Sequence, residues 1–211
     1  MKKLSLLFIL FLLVSFQEKE AGMINPTEIV EPNLKDKEFL LEYFEETRNH
    51  LEEITEDLSE AQLNFKPAEE RWSINQVLEH IVLTEAAIFK MTEDMMAQEP
   101  APERRSEIKV SDEALISGIE DRSKKVKASA ELQPTGKFSN PDTALDKLEE
   151  QREAMLDFIR DTSEDEMRNH VTDSPFGPID AYQSLLFIAG HTARHTKQIE
   201  EVLADSGFPM N

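Results

Sequence analysis

His191 and His195 stand four residues apart in Gly190-His191-Thr192-Ala193-Arg194-His195. On a helix, four residues advance by about 400°, which sets two rings about 40° apart and one turn along the same face. That geometry suits two ligands on one ion. Leu185 and Ile188 precede the pair and Ile199 and Val202 follow it, so the pair falls on the apolar, inward face of its helix. His80, between Val77 and Thr84, falls on the buried side of a second helix. Core histidines satisfied by a carbonyl or a carboxylate are common, and that reading stands beside the metal reading. Three inward imidazoles from two helices are expensive to bury without a shared partner, and a divalent metal is such a partner.

Other residues near this trio offer chemistry of their own. Hydrolysis at a metal needs a proton acceptor, and Glu79 and Glu85 flank His80 in sequence; Glu85, on the inward side, is the candidate catalytic base. The alternative is that Glu85 supports the ligands from behind or is a buried-edge carboxylate. Arg194 and Gln198, also four apart, either bind an anionic substrate or tie their helix to its neighbours. His50 reads as a surface histidine and His170 as a solvated loop histidine. The chain has no cysteine, which excludes thiolate nucleophiles, zinc–thiolate sites, disulfides and lipid attachment at a lipobox cysteine.

Helical periodicity positions these residues. Leu40, Tyr43, Phe44, Thr47, Leu51, Ile54 and Leu58 form one stripe over about 35–58. Ser73 is a candidate N-cap for a second helix running to about residue 97, with Ile74, Val77, Leu78, Ile81, Thr84, Glu85 and Ile88 along one side. A more polar third segment at 112–130 carries Leu115, Ile119, Val126 and Ala130 and belongs at an edge. Asn140-Pro141 starts a fourth, with Leu145, Leu148, Met155, Leu156 and Ile159. Ser174-Pro175-Phe176-Gly177-Pro178 reads as a rigid loop before the last helix at 180–205, and strands have little support. The expected fold is all-α, a four-helix bundle with a short peripheral helix or linker.

Forty-three acidic against 23 basic residues give a formal charge of −20, which opposes binding to nucleic acid or an anionic membrane surface. The beginning of the chain differs from the rest. Lys2 and Lys3 precede an uncharged apolar run at 4–16, closed by Glu18, Lys19 and Glu20, the pattern of a secretory signal. That run spans roughly 20 Å as a helix against a hydrocarbon core of about 30 Å, so no stable membrane anchor is expected. The expected organisation is a signal peptide at 1–22, a linker at 23–32 punctuated by Pro26 and Pro32, and one domain at 33–211, in a secreted or periplasmic protein.

Arg71-Trp72-Ser73-Ile74-Asn75-Gln76-Val77-Leu78-Glu79-His80-Ile81, together with Phe176-Gly177-Pro178 and His191-Thr192-Ala193-Arg194-His195-Thr196-Lys197-Gln198-Ile199, resembles the DinB-like superfamily. The resemblance runs from about residue 35 to 204. It implies a bundle whose histidines, here His80, His191 and His195, coordinate a divalent ion, zinc or nickel, with positions open to water or a small-molecule substrate. It also implies frequent homodimers. Members include thiol-dependent transferases and isomerases that work in the cytoplasm, alongside metal-dependent hydrolases; the export signal departs from the thiol-using members. The expectation is therefore an exported metal-dependent hydrolase or transferase. Its alternative is a non-catalytic bundle that binds a metal or a small ligand.

Overall fold

The computed structural model describes residues 36–138, 141–174 and 177–210. The leader and linker expected at 1–32 lie outside them, as do Asn140, Pro175 and Phe176. In chain order the elements are α1 (Lys37–Glu53), α2 (Glu60–Leu63), α3 (Ile74–Met96), α4 (Asp112–Glu120), α5 (Pro141–Asp161), α6 (Glu164–Asn169), β1 (Val171–Ser174), β2 (Gly177–Asp180) and α7 (Ala181–Leu203). Four of them are long. Around the bundle α1 lies against α7, α7 against α3, α3 against α5 and α5 against α1, while α4 packs on α7. No helix among the described residues is long and apolar enough to cross a membrane.

Side-chain caps set where the long helices begin. Ser73 accepts from the Gln76 amide while the Gln76 side chain accepts from the Ser73 amide, a capping box that starts α3 at the expected residue. Asp36 and Asp180 cap α1 and α7 by accepting from the amides of Phe39 and Gln183. The stripes then bury as two apolar clusters. Phe44, Met155, Ile159 and Ile188 belong to one, and Leu51, Ile81, Leu148 and Ile199 to the other.

On each helix a polar residue falls between these two sets, and together they make a buried layer. Arg152 of α5 is completely enclosed and pairs with the equally enclosed Glu85 of α3, Nη2 to Oε1 at 2.5 Å and Nε to Oε2 at 2.9 Å. Its Nη1 donates to the Phe44 carbonyl of α1 at 2.9 Å and to Thr47 Oγ1 at 3.3 Å, and Nη2 donates to Thr192 Oγ1 of α7 at 2.9 Å. The Thr192 hydroxyl in turn donates to Glu85. All four long helices thus meet at one guanidinium. Burying this pair carries a large desolvation penalty, so its use is to fix register, since any axial slip would leave a charge unpaired.

Two elements differ from expectation. The third segment is helical only to Glu120, and Val126 is 82% exposed. Arg194 of α7 explains the stop: its guanidinium donates to the carbonyls of Ile119, Asp121 and Lys124, so these oxygens are satisfied from another helix instead of by continuation of their own. The residues on either side of 175–176 are strands, paired antiparallel from Val171 with Asp180 to Ser174 with Gly177. Gly177, at φ +103°, takes a turn conformation that side chains disfavour. Behind the hairpin, Arg168 of α6 lies 3.8 Å over the Tyr182 ring and pairs with Asp112 at 2.6 Å and Asp180 at 3.1 Å. It thereby joins α4 and α6 to the start of α7.

Candidate metal centre

The inward stripes of α3 and α7 face each other, and that contact brings His80 to His191 and His195. One ring nitrogen from each lies within 4.8 Å of the other two, and the ring centroids are 4.4 to 5.0 Å apart. All three side chains are buried. Trp72, just before α3, stands 5.0 Å from the His80 ring, and Phe187 of α7 stacks on His191 at 6.2 Å, so half-buried aromatic rings flank the cluster.

Hydrogen bonds orient two of the rings. His80 Nδ1–H donates to the Leu132 carbonyl at 2.7 Å, and His195 Nδ1–H donates to Gln198 Oε1 at 2.9 Å. Arg122 Nη1 donates to that same Gln198 oxygen at 3.1 Å, and two donors on one atom settle which end of the amide faces the ring. With Nδ1 protonated, Nε2 of each ring keeps its lone pair. On the third ring, the buried Nδ1 of His191 has no hydrogen-bond partner. Burial holds His80 below the ordinary histidine range, against the pull of the Leu132 bond. Burial and the charges of His195, His80 and Arg194 push His191 well down. Burial, with His80 next in size, brings His195 to about 3. Three neutral imidazoles with ring nitrogens within 4.8 Å of one another, one of them with an unsatisfied buried nitrogen, fit a divalent cation.

Behind the rings lies support that sequence reasoning did not find. Glu79 points away from the histidines and clamps the 135–137 loop: it accepts from the amides of Thr135 at 2.8 Å, Gly136 at 2.9 Å and Lys137 at 3.2 Å, and from the Thr135 hydroxyl at 3.0 Å. Burial raises its pKa, but these bonds outweigh that and hold the carboxyl below its usual range. The clamp holds the segment whose Leu132 carbonyl orients His80. On the α7 side, Arg122 meets Glu201 through two bonds of 2.8 and 2.9 Å, and Arg71 adds a third at 3.2 Å. Gln198, three residues after His195, was visible in sequence; Arg122 and Leu132 are remote in sequence and carried no signal.

The remaining candidates fall elsewhere. Glu85 is committed to Arg152 and Thr192 in the core layer and is not brought into the histidine cluster. Arg194 ties α7 to the end of α4, as described above. His50 is half exposed, 3.1 Å from Glu200. His170 departs from the solvated-loop expectation: it is 6% exposed, with Nδ1 2.9 Å from the Glu166 carbonyl and Nε2 3.1 Å from that of Gln98, where the chain returns past the end of α3.

Residues 43–199 match the family profile described as the DinB superfamily. An uncharacterized protein of Bacillus subtilis, YuaE, is 28% identical over 159 residues, which cover 75% of this chain and 94% of YuaE. Among solved structures, YfiT from Bacillus subtilis aligns with a TM-score of 0.58 at 15% identity, over 92% of this chain and 95% of YfiT. YfiT is described as a probable metal-dependent hydrolase with an unusual four-helix bundle topology. At that identity the likeness speaks for the fold.

Proposed function

This chain belongs to the DinB superfamily, and from that premise we propose that it is a divalent-metal-dependent hydrolase or transferase acting on a small molecule at His80, His191 and His195. The observation that carries the reading is the convergence of three buried, neutral imidazoles within 4.8 Å. The description of YfiT as a probable metal-dependent hydrolase supports it. A divalent ion in a three-imidazole set supplies Lewis acidity at its remaining positions, polarising a carbonyl and lowering the pKa of water toward about 7. The chain's own residues position and enclose. Leu132 and Gln198 hold the rings in the tautomer that presents Nε2, Glu79 holds the loop that carries Leu132, and Trp72 and Phe187 limit water at the flanks.

One observation favours a second reading, a non-catalytic bundle that binds a metal or a small ligand. Glu79, Glu85 and Glu201 are all committed to hydrogen bonds elsewhere, so none of these three is free to take a proton. Turnover by the metal-loaded protein separates the readings, and metal content tests what they share. Protein purified without an affinity tag is expected to carry about one zinc or nickel ion per chain, held by the three imidazoles. Elemental analysis finding neither metal after exposure to both would overturn the assignment.

Export is part of the same proposal and rests on Lys2, Lys3 and the apolar run at 4–16. Mass spectrometry of the protein from its native source should find it lacking the first ~15–22 residues, the usual length of such signals. An intact N-terminus on cytoplasmic protein would refute export and return the thiol-dependent transferases to the front.

A further inference from the structure

The segment 121–133 crosses beside the histidine cluster and is tied to it at both ends. At its start Arg122 reaches Gln198, the partner of His195, and the Lys124 carbonyl is held by Arg194, the residue before His195. At its end the Leu132 carbonyl holds His80. Between these ties the strap reads Arg122-Ser123-Lys124-Lys125-Val126-Lys127, four cations in six residues of a chain with a net charge of −20. Lys124, Lys125 and Lys127 are exposed and form no ion pair among the described residues.

Nothing in the packing requires that charge. Arg122 and Arg194 are used by the fold, whereas the three lysines form no ion pair among the described residues, and Lys124 acts on the exposed Asp121 only through space. On α7, Glu201 is already paired with Arg122 and Arg71. On a strongly acidic protein an anion approaching the cluster would otherwise be repelled.

Resting on the metal-site reading above, we propose that the 121–133 strap makes this site selective for small anionic substrates, molecules bearing a carboxylate or phosphate, which Lys124, Lys125 and Lys127 attract and hold. A neutral substrate gains nothing from these charges and a cationic one is rejected. Recognition of the anion therefore belongs to the strap, and the arginines beside the histidines serve the frame.

Cobalt(II)-loaded full-length protein tests this, because visible absorption reports a ligand entering the ion's remaining positions. Benzoate serves as the anionic probe and neutral imidazole as the control. Reversing all three charges (Lys124→Glu, Lys125→Glu, Lys127→Glu) should weaken benzoate about tenfold at low salt and change imidazole by less than about twofold. The triple glutamine variant should lose about threefold, and raising the salt should shrink both differences. Unchanged benzoate affinity with normal cobalt uptake would overturn this inference alone, as would a change in oligomeric state in place of a change in affinity. No cobalt uptake by the wild type would overturn the metal reading and this inference with it.

Discussion

His191→Ala is expected to lose its divalent ion while keeping its helix. Removing one of three ligands leaves two imidazoles, and loss of even an outer partner of a ligand lowers metal affinity about 10–100-fold, so loss of a direct ligand should exceed that. Alanine is the best helix former, and the substitution also removes the buried Nδ1 that has no partner, so α7 should persist. Elemental analysis should therefore show metal far below the wild-type content beside an unchanged far-ultraviolet circular dichroism spectrum. Equal metal in the two proteins would end the three-histidine assignment. Gln198→Leu should fall between them, because it removes only the acceptor that orients His195.

The second large effect concerns stability. Glu85→Gln places a neutral amide against the completely enclosed Arg152 guanidinium and leaves a buried charge uncompensated. Breaking one side of a buried pair costs about 3–5 kcal/mol, a large share of the roughly 5–15 kcal/mol that holds a domain together. In a domain of this size the melting midpoint should drop by on the order of 10 °C. Arg152→Met should do similar damage. The double variant Glu85→Leu with Arg152→Met should recover much of the loss, since an apolar pair of similar volume removes the stranded charge along with its partner. A denaturation midpoint for Glu85→Gln equal to that of wild type would refute the core-layer role. A loss of turnover without loss of stability would restore Glu85 as the base.

These two substitutions mark what could be read from sequence and what could not. The inward direction of His80, His191 and His195 follows from local periodicity: an imidazole at the same spacing as Leu185, Ile188, Ile199 and Val202 must share their face, whatever the helix packs against. The caps at Ser73 and Asp180 are local too, since their partners lie three residues away. The hairpin was harder, because its strands are four residues each and too short for alternation to show.

Glu85 lies on the inward face that its spacing predicts, but its partners Arg152 and Thr192 are not legible in sequence, for a physical reason. Facing is a property of one helix, but the group that a side chain meets depends on the axial registration of two. Arg152 is 67 residues from Glu85, and no spacing within α3 or α5 announces that their polar positions fall at the same height. The end of α4 was decided in the same way, by Arg194 reaching carbonyls 70 to 75 residues earlier. So was the buried setting of His170, whose second carbonyl partner is 72 residues away. The sequence by itself determined that this chain folds as helices with three imidazoles turned inward, because 3.6-residue periodicity is local. Only the tertiary structure decided which carboxylates are spent on the frame and which carbonyl and amide oxygens hold the histidines, because charged and polar groups choose partners by distance in space.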